Sequence, residues 1–244
     1  MTGSLVVVGL GPGVTSLVTP EVAAALAGAS DVVGYGPYVA RIVPRNGLVL
    51  HTSDNREEVT RARHALAMAA SGRHVVVVSS GDPGVFAMAS AVFEALEVAP
   101  EFHALDIRVL PGITAMLAAA ARVGAPLGHD FCAINLSDNL KPWSRVEQRL
   151  RLAAEADFAM ALYNPRSKSR PHQFALALDI LRDVCGTQRL IIFARAVSTP
   201  DESIETVALA DARPEMADMR TVVLVGNSTT RRVGRYVYTP RRSE

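Results

Sequence analysis

Two short apolar strands, each followed by a glycine–proline turn, constrain the fold of this chain more than any other feature. Residues 5–8 run into Gly9-Leu10-Gly11-Pro12-Gly13, and residues 75–78 run into Ser79-Ser80-Gly81-Asp82-Pro83. Apolar runs that end in glycine turns are typical of buried parallel strands. Glycine in such a turn lets a ligand approach the backbone closely. The pattern predicts an α/β fold with a ligand site at the carboxyl ends of these strands.

The first turn is similar to a dinucleotide-binding fingerprint but does not complete it. A GxGxxG motif that begins at Gly9 needs a third glycine at position 14, which is Val14. Pro12 also removes an N–H group from the place where a diphosphate needs donors. Asp82 in the second turn repels phosphate and suits a cationic or hydroxyl-bearing ligand. The alternatives are a tight turn without a ligand and an Asp82 that only caps the next helix.

Composition excludes several classes of protein. The chain has 244 residues, 49% of them hydrophobic, and a formal net charge of +1, which argues against a nucleic-acid coat or a polybasic membrane anchor. The two cysteines, Cys132 and Cys185, show no metal-ligand spacing, so no metal site is expected. No apolar run reaches the roughly 18 residues of a membrane span. We expect a cytoplasmic protein that binds neither nucleic acid nor a membrane.

Strand-like and helix-like stretches alternate along both halves of the chain, which is typical of βαβ architecture. We expect two α/β domains with a ligand cleft between them. The N-terminal domain, residues 1–112, is predicted to hold a mostly parallel sheet. A linking helix spans residues 113–125. The second domain, residues 126–244, is richer in strands towards its end, and a mixed sheet is predicted there.

Polar residues at other predicted strand ends are further candidates for the site. Arg166 and Lys168 lie in a loop after a strand, and Arg195 ends another strand. These cations either form a clamp for carboxylates or lie in a solvated surface. His129-Asp130 is an adjacent imidazole–acid pair, a weak indication of proton transfer. Since GxSxG, HExxH and P-loop motifs are absent from the sequence, an enzyme of this kind works by aligning two bound substrates.

Several motifs together resemble a known family. Gly9-Leu10-Gly11-Pro12-Gly13, Gly81-Asp82-Pro83, Pro111-Gly112-Ile113-Thr114-Ala115 and Gly226-Asn227-Ser228 are similar to motifs of the tetrapyrrole methylases. Those are S-adenosylmethionine-dependent enzymes of cobalamin and sirohaem synthesis. The stretches Ser137-Asp138, Pro142-Trp143 and Tyr163-Asn164-Pro165-Arg166-Ser167 resemble the branch that acts on precorrin-3B. The likeness extends over nearly the whole chain.

The resemblance implies S-adenosyl-L-methionine as cofactor, S-adenosyl-L-homocysteine as its product, a tetrapyrrole substrate and a homodimer. The implied reaction methylates C17 of precorrin-3B and contracts the macrocycle to precorrin-4. A cobalt-bearing substrate, or another ring carbon, is the alternative. The implied cofactor contacts are Gly11, Pro12, Ser80, Gly81, Asp82, Val85, Thr114, Ala115, Tyr163, Asn164 and Ala196.

The remaining roles are hypotheses. Arg166, Lys168 and Arg195 would meet the carboxylate arms of the substrate. Asp82, His129 or Asp130 would move the proton that ring contraction needs. Functions from other classes are a non-catalytic nucleotide-binding module and an inactive scaffold; the incomplete fingerprint at Val14 argues against the first, and the intact turns argue against the second.

Overall fold

The protein, described here by a computed structural model for residues 3–55 and 57–242, divides into two compact units. Unit 1 ends at Thr114, and unit 2 begins at Ala115. The outer ends of the two predicted domains, residues 1–2 and 243–244, lie outside the described residues, as does residue 56.

Unit 1 is built around a five-stranded sheet in which every pair of neighbours is parallel, as the sequence predicts. The strand order is β3-β2-β4-β1-β5. The strands are β1 (Ser4–Gly9), β2 (Asp31–Tyr35), β3 (Val49–Ser53), β4 (His74–Ser79) and β5 (Asp106–Leu110), and the α-helices are α1 (Pro20–Gly28), α2 (Gly36–Val39), α3 (Glu58–Ala70) and α4 (Met88–Glu97).

The central strands β1 and β4 are buried on both faces, which explains their continuous valine runs. Val7 and Val77 pack with α3 and α4 on one face, whereas Val8 and Val78 pack with Val22 of α1 on the other. Thr19 caps α1, because its hydroxyl accepts a hydrogen bond from the N–H of Val22 at 3.3 Å. The short elements α2 and β3 are not predicted from the sequence.

Unit 2 contains a second five-stranded sheet, and this one is mixed, as predicted. Its order is β10-β9-β11-β8-β7, in which only β7 and β8 are parallel neighbours. The strands of unit 2 are β6 (Gly124–Ala125), β7 (Phe131–Asn135), β8 (Ala159–Tyr163), β9 (Leu190–Arg195), β10 (Ser203–Ala208), β11 (Thr221–Val225), β12 (Arg231–Val233) and β13 (Tyr236–Tyr238), and its α-helices are α5 (Ala115–Val123), α6 (Trp143–Glu155) and α7 (Gln173–Cys185). Leu150 of α6 and Leu178 of α7 lie in the core of this unit.

A small three-stranded sheet joins the two ends of unit 2. β13 pairs in parallel with β6, with Val237 opposite Gly124, and antiparallel with β12. Beyond β13, the hydroxyl of Thr239 donates to the carbonyl of Pro126 at 2.6 Å. The strands β6 and β12, which are two and three residues long, are not predicted from the sequence.

Candidate active site

The three glycine turns of unit 1 meet at the carboxyl edge of its sheet. Gly11 and Gly81 exchange two backbone hydrogen bonds of 3.1 and 2.9 Å. Gly112 lies against both other turns, since a Cβ atom built on it would overlap the carbonyl oxygen of Gly81 and lie 2.7 Å from that of Gly9. A Cβ on Gly112 has no space here, and Gly81 has a φ of +62° that favours glycine, so the convergence of the turns depends on glycine.

Asp82 fastens these turns together. Its Oδ1 accepts a hydrogen bond from the N–H of Gly84 at 2.8 Å, and its Oδ2 accepts one from the N–H of Gly112 at 3.0 Å. A carboxylate has about four lone-pair sites, so it can accept further bonds from a ligand. The predicted contact of Asp82 with a cofactor and its predicted proton transfer stay predictions.

Arg41, which the sequence reasoning does not identify, braces the first turn. Its guanidinium donates to the carbonyls of Leu10 at 2.6 Å, Gly11 at 3.2 Å and Gly13 at 2.9 Å. Burial lowers the pKa of Arg41, although nearby Tyr38 raises it, and an arginine stays protonated in proteins. This cation therefore faces the carbonyls of the turn. No motif signals this role, because Arg41 lies about thirty residues along the chain from the turn.

The other predicted cofactor residues of unit 1 lie on the same turns. Pro12, Ser80 and Val85 are partly buried, and Thr114 is buried at the end of the third turn. The turn after β4 leads into α4, where the buried hydroxyl of Ser79 accepts a bond from the N–H of Met88 at 3.3 Å.

In unit 2, the structure brings the predicted residues Tyr163 and Ala115 to the same place. The hydroxyl of Tyr163, at the end of β8, accepts a hydrogen bond from the N–H of Met116 at 3.0 Å, in the first turn of α5. The side chain of the predicted Asn164 donates to Oδ1 of Asn135, at the end of β7, at 3.1 Å. The carboxyl ends of the two parallel strands are thus tied together.

Unusual backbone conformations occur beside the predicted site residues. Asn164, Ala196 and Phe86 have φ angles of +52°, +48° and +54°. This left-handed region is uncommon for residues other than glycine, and such strain concentrates at functional sites. Asn164 and Ala196 are predicted cofactor contacts, and Phe86 follows Val85. Asp157 and Ser198 also have positive φ angles.

The residues of the predicted carboxylate clamp have different surroundings in the structure, and their contact with a substrate stays a prediction. Arg195 forms an ion pair with Asp218, with 2.8 Å between Nε and Oδ2. Burial raises the pKa of Asp218, but hydrogen bonds from Arg195, the N–H of Arg220 and Thr221 outweigh it, and the net shift is downward. Arg166 donates to the carbonyl of Pro171 at 3.4 Å, and Lys168 is exposed. Arg195 thus already has a carboxylate partner inside the protein.

His129 and Asp130 precede β7, whereas Asn135 and Tyr163 end β7 and β8. The predicted proton-transfer pair and the predicted cofactor residues therefore lie at opposite ends of the same two strands. Nδ1 of His129 accepts a bond from the N–H of Asp130 at 2.8 Å. Both residues line a cavity of about 750 Å³ together with Asp157, Ser228 and Arg231. Their catalytic role stays a prediction.

Two further properties concern the described part of the chain as a whole. Within residues 3–55 and 57–242, no three His, Cys, Asp or Glu side chains are grouped as metal ligands would be. The helices of the same residues include none that is long and apolar enough to cross a membrane.

Comparison with known proteins shows which family the chain belongs to. Residues 4–213 match the model of the Tetrapyrrole (Corrin/Porphyrin) Methylases. A precorrin-3B C(17)-methyltransferase of Sinorhizobium sp is 53% identical, over 99% of this chain and 97% of that protein. The cobalamin biosynthesis protein CobIJ of Mycobacterium bovis is 45% identical over 99% of this chain, which spans 49% of that longer protein.

Solved structures agree with the sequence comparisons. The crystal structure of the methyltransferase CobJ is 72% identical and superposes with a TM-score of 0.96, covering 98% of this chain and 100% of that one. The resemblance inferred from the glycine turns is confirmed by these matches. The chain belongs to the tetrapyrrole methylases.

Proposed function

We propose that this protein is an S-adenosylmethionine-dependent methyltransferase that methylates C17 of precorrin-3B and contracts the macrocycle to give precorrin-4. The observation that carries the proposal is the 53% identity, along 99% of the chain, with the Sinorhizobium enzyme of that specificity. The loops of the candidate site lie within the aligned length.

The turns of unit 1 fit S-adenosylmethionine better than a dinucleotide. Pro12 offers no N–H where a diphosphate needs a donor, so this turn is poorly suited to a diphosphate. Asp82 supplies carboxylate oxygens, which suit the ammonium and hydroxyl groups of the cofactor. Gly9 and Gly112 let the turns pack backbone on backbone, which fixes the edge of the sheet that a ligand would meet.

The residues of the chain bind and orient the two reactants. When bound, S-adenosylmethionine supplies an electrophilic methyl group on its sulfonium. The interlocked turns fix their own backbone before any ligand arrives, and such preorganisation supplies much of the rate of a reaction between two aligned reactants. Tyr163 and Asn164 hold the strand ends of unit 2 through Met116 and Asn135. Asp82, His129 and Asp130 are the proposed candidates for moving the proton of ring contraction.

A homodimeric state and a cytoplasmic location are further parts of the proposal, and both rest on the resemblance to the precorrin-3B branch. Light scattering coupled to size-exclusion chromatography tests the first of these. A mass of twice the chain's 26.0 kDa supports the dimer, and a monomer at micromolar concentration contradicts it.

The deciding experiment has two stages. Calorimetric titration with S-adenosylhomocysteine, with NAD and ATP as controls, should show micromolar binding of the first ligand alone. Turnover of precorrin-3B should then add one methyl group by mass and place it on C17 by NMR. Tighter binding of NAD or ATP would contradict the cofactor, and methylation of another carbon or turnover only of a cobalt-bearing substrate would contradict the specificity.

A further inference from the structure

The carboxyl ends of β7 and β8 carry a group of cations that includes none of the predicted site residues. We define the β7–β8 cation cluster as Lys141, Arg149 and Arg170. Arg149 and Arg170 both disfavour the charge of Lys141, whereas Asp138 favours it. Lys141 therefore lies close to two other cations and to one carboxylate. The side-chain amide of Gln173 donates to that carboxylate at 3.0 Å.

Arg170 is the buried member of the cluster, with 5% of its surface exposed. Its guanidinium donates to three neutral groups, the carbonyls of Asn164 at 3.1 Å and Leu136 at 3.4 Å and the sulfur of Met219 at 3.5 Å. It forms no ion pair within 4.0 Å with any carboxylate in the described ranges. Asp138 favours the charge of Arg170 from beyond that distance. A buried charge that no contact ion pair compensates is costly, so an arriving anion would be favoured here. Arg170 also joins the loop after β7 to the loop after β8.

Lys141 is the member of the cluster that is placed to meet a ligand. It is partly exposed, and its ammonium donates to the carbonyl of Ser137 at 3.0 Å. An ammonium has three donors, so hydrogen bonds remain for a ligand. Burial, Arg149 and Arg170 lower the pKa of Lys141 despite the opposing effect of Asp138. A bound carboxylate would relieve the repulsion among these cations.

Two helices begin at the same edge. α6 starts at Trp143 and α7 at Gln173, and neither has a side-chain cap at its amino end. The positive ends of helix dipoles add to the attraction for an anion. The carboxyl ends of parallel strands are also where α/β sheets bind their ligands, and Tyr163 and Asn164 lie at this edge. The charge of this edge, its free hydrogen-bond donors and its position in the sheet therefore all favour an anionic ligand.

We propose that Lys141 binds one carboxylate arm of the macrocyclic substrate, and that Arg170 positions the two loops and adds its buried charge to the subsite. The inference rests on the proposed function, because the reduced tetrapyrrole brings the acetate and propionate arms. It assigns the contact to a lysine outside the predicted clamp, in which Arg195 is already paired with Asp218.

The test compares Lys141→Gln and Lys141→Arg with the control Arg213→Gln, which removes an exposed charge of unit 2. Arg213 lies away from the proposed subsite, because the carbonyl of the neighbouring Ala212 accepts a hydrogen bond from Arg182 near the other end of α7. Steady-state kinetics with precorrin-3B give KM and kcat, calorimetry gives the Kd of S-adenosylhomocysteine, and thermal melting checks the fold. Lys141→Gln should raise KM on the order of tenfold, the value of one charged hydrogen bond. Its kcat and Kd should stay within about twofold. Lys141→Arg should restore most of the KM, and Arg213→Gln should match wild type.

The outcomes separate this inference from the proposed function. Wild-type turnover with an unchanged KM in Lys141→Gln would overturn the subsite and leave the function standing. The same would follow from an equal rise of KM in Arg213→Gln, or from a parallel loss of S-adenosylhomocysteine affinity in Lys141→Gln. A wild-type protein that neither binds nor methylates precorrin-3B would overturn the function, and the subsite with it.

Discussion

The carboxyl edges of the two sheets are built in different ways. In unit 1, backbone lies directly on backbone, with Gly9, Gly81 and Gly112 in contact. In unit 2, side chains hold the loops, such as Arg170 on the carbonyls of Leu136 and Asn164. A backbone contact leaves no freedom to change its shape, whereas a side-chain bridge can be replaced by another. Substitutions in the edge of unit 1 should therefore cause large losses of stability and ligand binding, whereas substitutions in the edge of unit 2 should cause graded losses.

The largest effect should come from Gly112→Ala. The new Cβ would overlap the carbonyl of Gly81 and crowd that of Gly9, and backbone cannot yield as a flexible side chain can. We expect a loss of about 3 kcal/mol in the free energy of unfolding, together with loss of S-adenosylhomocysteine binding. Urea unfolding and calorimetry measure the two effects.

The matched control is Gly28→Ala, at the end of α1, where an added Cβ meets nothing within 4 Å. It should leave ligand binding intact and change stability by no more than about 1 kcal/mol, in the stabilising direction. Equal stability of Gly112→Ala and Gly28→Ala would show that the contact of the three turns is not tight.

Arg170→Met should have the next largest effect, since it breaks the side-chain bridge of unit 2. Removal of a charged donor from the carbonyls of Leu136 and Asn164 should cost about 2 kcal/mol of unfolding free energy. Arg145→Met, which removes an exposed bond to Gln148, should stay within about 0.5 kcal/mol of wild type. If the two variants unfold at the same urea concentration, Arg170 does not hold the loops.

Arg41→Met tests a side chain that braces the first turn of the backbone-built edge. Three carbonyls of the first turn would lose their donor, and we expect S-adenosylhomocysteine affinity to fall on the order of tenfold. Arg45→Met is a close control, because Arg45 also donates to three carbonyls, those of Leu26, Ala27 and Ala29 near the end of α1. Equal affinities in the two variants would contradict a role for Arg41 in shaping the turn.

The smallest effect should come from the ion pair of Asp218 with Arg195. The pKa of Asp218 is lower in the folded protein than its ordinary value of about 3.9. The pair therefore stabilises the fold above that value, and this contribution is lost as the pH falls through the lowered pKa. Asp218→Asn should cost less than about 1 kcal/mol at neutral pH, and the difference from wild type should shrink below about pH 4. A difference that does not change with pH would exclude this titration.

The sequence predicts the backbone-built edge well and the other edge poorly. Glycines at 9, 11, 81 and 112 are visible locally, because each follows an apolar strand, and the parallel sheet follows from the alternation of strands and helices. Arg41 and Arg170 carry no local signal, since their partners are set by the tertiary fold. The edge strand β3 is partly exposed and lacks a strong apolar pattern, which explains why it is not predicted.

Adjacency in sequence does not give the position of a residue pair in the fold. His129 and Asp130 are neighbours in the chain and line one cavity. The direction of β7, the strand that follows them, determines at which end of the sheet they lie. That direction places them before β7 rather than after it. Sequence identifies an acid–imidazole pair, and only topology shows that it is separated from Tyr163.

The pairing of β13 with β6 makes the folding of unit 2 depend on a late part of the chain, whereas the sheet of unit 1 has no such dependence. The sheet of unit 1 is complete once β5 has been synthesised, at Leu110. In unit 2, Val237 must reach Gly124 before the small sheet closes, and such distant pairings form slowly. On the ribosome, the sheet of unit 1 can therefore form before the small sheet of unit 2, which waits for Val237.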